Sequence, residues 1–179
     1  PEPSRLSRLG PEAKIEGWSL RPPNGWENRV KADATESRYT WGKAGLGALV
    51  VVRPAARPVE STLEDAMESA TGALKARMKG LQLSRPERGR IEGRPFVRVR
   101  YRMEPQPQLP GMEYGFIYAT IEAGTPVVLT GVGSAASIED MEAAAQTYRS
   151  RGDAARPVAA AGADEPGKPL ADERRQIPA

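Results

Sequence analysis

Arginine is the residue type with most chemistry to offer in this sequence. Between positions 75 and 102 stand Lys75, Arg77, Lys79, Arg85, Arg88, Arg90, Arg94, Arg98, Arg100 and Arg102, against only Glu87 and Glu92. In "FVRVRYRM" a strand's alternation sends Val97, Val99, Tyr101 and Met103 to one face and Arg98, Arg100 and Arg102 to the other. Guanidinium groups at two-residue spacing make a flat cationic stripe. Such a stripe suits an acidic protein surface or anionic lipid headgroups. Like charges this close repel, so carboxylates are expected beside them, with Glu113 and Glu122 on neighbouring strands as candidates. Where those carboxylates neutralise the stripe it is a solvated sheet face; where they do not, it is a docking surface.

Other chemistry is restricted by what is missing. There is no His and no Cys. Imidazole bases, Ser-His and Cys-His pairs, thiolate ligands and disulfides are therefore excluded. The carboxylate pairs Glu64–Asp65 and Glu139–Asp140 fall in the first turns of two expected helices, where they complement the helix dipole. No Ser-Lys spacing suggests a dyad. "GKAGLG", positions 42–47, lies between strands and lacks the Ser or Thr of a Walker loop, so its glycines serve a turn. "GVGS", 131–134, precedes a helix and leaves room for an anion at that N-terminus. No cofactor, no metal and no enzymatic activity are expected.

"PQPQLPG", 105–111, is either a polyproline-type recognition segment or a stiff loop between strands. In both readings Pro105, Pro107, Leu109 and Pro110 suit contact with a partner. With Arg90, Arg94, Arg98, Arg100 and Arg102 they form the candidate binding set. Nucleic acid is not expected, because the formal net charge is only +3 and aromatic residues are 6% of the chain.

The elements that position these residues can be read from period and punctuation. "WSLR" alternates and "PPNG" turns. "SRYTWGK" and "ALVVVRP" read as strands around "AGLG". In "STLEDAMESATGALKARMKG" the residues Leu63, Met67, Ala70, Leu74 and Met78 recur at helical spacing. Ser61 with Glu64 offers a capping box, Val59 a staple and Gly80 a stop. "LQLSRPERGRI" is irregular and "EGRP" turns the chain. "MEYGFIYATIE" and "PVVLTGVGS" are two further strands around "AGT". "SIEDMEAAAQTYRS" reads as a second helix, capped by Ser137, with Ile138, Met141, Ala145 and Tyr148 on one face. The fold class is α+β: a mainly antiparallel sheet of six to seven strands, one long central helix and one C-terminal helix. Residues 1–14 read as a linker or trimmed segment, 15–151 as the domain, and 152–179 as a Pro/Ala-rich extended tail.

The opening "SLRPPNGW" resembles the strand and Pro-Pro-x-Gly-Trp start of PsbP-like domains. The order that follows is similar too: a hairpin, a long helix, the turn in "RIEGRPFVRVRY", a meander and a closing helix. The resemblance covers about Ile15 to Arg151. It implies an α/β/α sandwich. It also implies a role like those of the family's extrinsic photosystem II subunits, its Ran-binding import factor, its bacterial lipoproteins and its secretion chaperones. Metal binding through His, associated with some members, has no residues to carry it here. The expected function is a non-catalytic accessory or extrinsic subunit. Its expected partners are subunits of a membrane-bound complex, of the photosynthetic or respiratory kind, with an anionic lipid surface as a further contact. The expected location is periplasmic or otherwise extracytoplasmic, peripheral to a membrane. A small-molecule or lipid carrier and a secretion-type chaperone are the alternatives. No apolar run is long enough to span a bilayer.

Overall fold

The computed structural model describes residues 8–15, 17–33, 36–54, 61–91 and 93–150. Alternation and tight turns build the main sheet. Strand β4 (Glu36–Lys43) returns as β5 (Gly47–Pro54) through a turn in which the Leu46 amide donates to the Lys43 carbonyl at 3.0 Å. Strand β9 (Tyr114–Glu122) returns as β10 (Thr125–Gly133) through Ala123 and Gly124, at φ 51° and 80°. Two successive positive φ values are what a two-residue hairpin of native twist requires. With β3 (Glu27–Ala32), β6 (Gln82–Leu83), β7 (Glu87–Ile91) and β8 (Arg94–Arg102) the sheet has eight strands, in the order β3-β4-β5-β10-β9-β8-β6. Strand β7 pairs with β8 off this path, and every pairing is antiparallel.

A second, three-stranded sheet joins β1 (Ala13–Ile15), β2 (Trp18–Leu20) and β11 (Arg149–Ser150). The strand count thus exceeds the six to seven expected from the sequence, while the α+β class stands. The added strands include runs of two or three residues, too short to show a period. The irregular "LQLSRPERGRI" is in fact the two pieces β6 and β7, laid end to end on one edge of β8.

Each face of the main sheet carries a helix. Helix α1 (Leu63–Arg77) packs on β8, β9 and β10, burying Ala66 and Met67 against Val97, Val99, Tyr101, Ile117 and Ala119. Leu63, Ala70, Leu74 and Met78 are half-buried at the margin of this cluster. The capping box is Thr62 with Asp65, one residue beyond the expected Ser61 and Glu64. The Asp65 amide donates to Thr62 Oγ1 at 3.1 Å, and the Thr62 amide to Asp65 Oδ2 at 3.2 Å. The helix closes on Met78 in extended geometry, so Gly80, at φ 66°, belongs to the following turn rather than to the cap. Val59 lies outside the described residues.

Helix α2 (Ile138–Gln146) buries Met141, Ala144 and Ala145 on the other face, with Leu49, Val51, Phe116, Tyr118, Val127 and Leu129. The small sheet closes this layer. Trp18 stands in the core, with ring centroids 4.9 Å from Tyr39, 6.1 Å from Trp41 and 5.5 Å from Tyr148. Trp26 is half-buried against the same cluster, and its amide closes the "PPNG" turn on the Pro23 carbonyl at 3.3 Å. Both tryptophans therefore have packing roles.

Residues 8–14, read as part of a linker, are packed. Leu9 is 5% exposed and joins the core, Gly10 donates to the Pro22 carbonyl at 2.7 Å, and Asn24 donates to the Arg8 carbonyl at 3.0 Å. A single Leu and a few backbone bonds leave no periodic signal. The tail expected over 152–179 lies outside the described residues.

Candidate docking surface

The strand that carries the arginine stripe is held between an interior strand, β9, and the broken edge β6/β7. Val97, Val99 and Tyr101 face α1, and Arg98, Arg100 and Arg102 face the α2 side, as alternation requires. The arginines do not stand free. Arg98 is only 16% exposed at its side chain; it donates to the Tyr118 hydroxyl at 3.4 Å and forms a close ion pair with Glu87. Arg100 grips Glu142 of α2 with two bonds, Nε to Oε1 at 2.8 Å and Nη2 to Oε2 at 2.9 Å. Arg102 lies 3.7 Å from Glu113 and over the Tyr114 ring at 5.3 Å. The counter-charges are thus Glu87, Glu142 and Glu113. Glu122 is taken by Arg53 at 2.5 Å and by the Tyr148 hydroxyl at 2.6 Å.

Titration follows these contacts. The Arg98 hydrogen bond and charge hold the Glu87 carboxyl below the usual carboxylate range. Burial works most strongly against the charge on Arg98, but its bonds to Tyr118 and Glu87 together outweigh burial and raise its pKa. The bidentate bond to Glu142 raises that of Arg100. Burial pushes the Tyr101 phenol up to about 12 and raises Tyr148 further.

The nine candidate residues do not form one site. Arg94 is 7% exposed, with its guanidinium 5.0 Å from the Tyr148 ring centroid, a packing position. Arg90 is exposed and donates to the Gly93 carbonyl at 2.9 Å. These two mark one end of β8, and Arg102 marks the other, about 26 Å away along an extended strand. The proline segment lies at the Arg102 end. It is a loop of consecutive turns rather than a polyproline helix, with Leu109 donating to the Gln106 carbonyl at 3.0 Å and Met112 to the Leu109 carbonyl at 3.2 Å. Pro105, Pro107 and Pro110 face solvent, while Leu109 packs on the α1-side core.

That end gathers further cations. Gln82 pairs with Arg102 in register, and a Cβ placed on Gly80 would lie 2.4 Å from Glu104, so the turn after α1 rests on the root of the proline loop. Lys75, Arg77 and Lys79 descend into this turn and Arg85 leaves it. All four are exposed, and none has a carboxylate partner within 4.0 Å among the described residues. These four belong to the basic run seen in the sequence but stood outside the candidate set. What singles them out is the lack of a partner, which only the fold reveals.

Two other features combine local bonds and mixed charge. The α2 N-terminus is tied down by Ser137, whose Oγ donates to the Leu46 carbonyl at 2.5 Å and accepts from the Ser134 amide at 3.1 Å. Ser137 therefore braces the β4–β5 turn and makes no side-chain cap bond. A cleft of about 830 Å³ beside α2 is lined by Arg21, Arg98, Arg100 and Arg149 but also by Glu12, Glu139 and Glu142. Among the described residues no helix is long and apolar enough to cross a membrane, and no group of three His, Cys, Asp or Glu is arranged to hold a metal ion.

No protein-family model matches the sequence, and the search of curated proteins found no match. Solved structures do resemble it. The solution structure of cyanobacterial PsbP (CyanoP) from Synechocystis sp. PCC 6803 aligns with a TM-score of 0.55 at 13% identity, over 80% of this chain and 93% of that one. The crystal structure of protein PA94 from Pseudomonas aeruginosa aligns with a TM-score of 0.43 at 12% identity, over 78% of this chain and 92% of that one. The fold is PsbP-like, as the resemblance in "SLRPPNGW" and the element order implied.

Proposed function

We propose that this protein is a non-catalytic accessory subunit that binds other proteins and helps to hold together a larger, membrane-associated complex outside the cytoplasm. The observation that carries this reading is that Lys75, Arg77, Lys79 and Arg85 are exposed with no carboxylate partner among the described residues, on the segments that enter and leave the turn resting on Glu104 at the root of the proline loop. Elsewhere in the basic run Arg88, Arg98, Arg100 and Arg102 are answered by Glu64, Glu87, Glu142 and Glu113 of the same chain, while Arg90 donates to the Gly93 carbonyl and Arg94 lies over the Tyr148 ring. The four at this end are not, so they are available to an acidic surface brought by a partner. Proline-rich turns add a stiff contact that loses little entropy on docking. The PsbP-like fold supports the reading, since the extrinsic photosystem subunits that the sequence resembles are accessory proteins.

Capture is the direct experiment. The tagged full chain, incubated with solubilised native membranes, retains a defined protein whose release requires salt, and the release profile shifts to lower salt when the four cations become Gln. Retention of no protein, or retention indifferent to both salt and the four substitutions, contradicts the reading.

A further inference from the structure

The two edges of the main sheet are treated differently. The β6/β7 edge is broken between Leu83 and Glu87, and Pro86 within the break has no amide to donate. The opposite edge, β3, is an unbroken run of six residues, all exposed. Among the described residues no strand pairs with its outer side. Among the described residues its Val30, 55% exposed, is the large hydrophobic residue that the fold leaves in solvent.

Which backbone groups point outward follows from the hairpin. The Asp33 amide donates to the Glu36 carbonyl at 3.0 Å, and the register sets Ala32 opposite Ser37 and Val30 opposite Tyr39. Hydrogen-bonded and open pairs alternate in an antiparallel ladder. Arg29 and Lys31 therefore bond inward to β4, and Asn28, Val30 and Ala32 turn their N–H and C=O groups outward.

The side chains define what could be added there. On the α1 side of the sheet β3 presents Glu27, Arg29 and Lys31; neither Arg29 nor Lys31 has a carboxylate within 4.0 Å among the described residues. Helix α1 covers β8, β9 and β10. Beside β3 it leaves a groove of about 630 Å³, lined by Arg29, Thr40, Gly42, Ala48, Leu109 and Met112 among others. On the opposite side β3 presents Val30. We propose that β3 is an acceptor edge, to which a protein partner adds an extended segment that alternates acidic and apolar residues. The acidic residues lie beside Arg29 and Lys31 at the mouth of the groove, and the apolar residues cover Val30. A second copy of this chain fits less well, because an antiparallel register centred on Val30 sets Arg29 against Lys31 twice, and one centred on Arg29 matches Glu27 with Lys31 but sets Arg29 against itself and Val30 against Asn28. The proposal deepens the protein-binding reading and rests on it.

The test uses the full chain and a short labelled peptide alternating Glu and Val, followed by fluorescence anisotropy. Val30→Pro removes an outward donor and leaves the inward ladder intact, a placement that edge strands tolerate; it weakens binding about tenfold. Arg29→Glu with Lys31→Glu abolishes binding of this peptide and creates binding of a peptide alternating Lys and Val. Should Val30→Pro fail to fold, the charge exchange decides alone. Binding that ignores both changes overturns the proposal, as does self-association through β3 in sedimentation with no peptide bound. A membrane partner captured equally well by wild type and both variants also overturns it, and leaves the protein-binding reading standing. Peptide binding at β3 with no partner captured from membranes sinks only the accessory-subunit reading.

Discussion

At the scale of single residues, Arg98 shows how far alternation alone can mislead. The sequence places it on a polar face with Arg100 and Arg102, and that placement holds. Nothing in "FVRVRYRM" reveals that Tyr118 stands opposite it in register, or that Glu87 reaches it from a strand too irregular to read. A position expected to be one rung of an exposed stripe is mostly buried. Arg98→Gln should therefore cost about 1–3 kcal/mol in a urea titration, because it leaves the partners of a largely buried group unpaired. The same variant tests the Glu87 titration. In the wild type the folded carboxyl ionises below its unfolded value of 4.5, so the stability it contributes is present above that value and lost as pH falls through the folded pKa. Carbon-detected NMR should give a Glu87 midpoint below 4.5 in the wild type and a return toward it in Arg98→Gln. An unchanged midpoint would mean that the ion pair does not persist in solution.

At the scale of elements, long periodic segments were readable and their ends were not. The stripe from Leu63 to Met78 gave α1 its place, because helical periodicity over 15 residues outweighs local ambiguity. Its cap differed by one residue, since "ST" offers two hydroxyls and "ED" two carboxylates at the same spacing. The backbone, extended at Thr62, decides between them. Thr62→Ala should lower stability by about 1 kcal/mol, and Ser61→Ala should change it by less than about 0.5 kcal/mol. Equal losses from both would return the cap to an average of two states. For α2 the cap position was legible, at Ser137, but the partner of its hydroxyl was not. Ser137 has the residue type of a cap, but the close approach of the β4–β5 turn recruits its hydroxyl to the Leu46 carbonyl. Contacts 91 residues apart in sequence are not written in local pattern.

At the scale of the whole molecule, the α+β layout was legible because hairpin turns and capped helices punctuate the chain. The second sheet and the packed N-terminal segment were not, because strands of two or three residues depend on the surface they lie against. A chain of residues 8–150 should melt cooperatively. Beginning instead at Ile15 should cost a further 2–3 kcal/mol or so, through the lost burial of Leu9 and the bonds at Gly10 and Asn24. Matching melting curves for the two would assign no stability to the N-terminal wrap. The proposed docking surface was legible as a basic run but not as a location, because Lys75, Arg77, Lys79 and Arg85 emerge as exposed cations without a carboxylate only after the fold has distributed the acids. That unanswered group is the centre of the account. Its most direct test is the association rate of the captured partner with wild type and with the variant carrying Gln at Lys75, Arg77, Lys79 and Arg85, at low and at physiological salt. The substitutions should slow association about tenfold or more at low salt, added salt should narrow the gap, and dissociation should change little. Equal association rates for the two proteins, with no dependence on salt in either, would contradict the account.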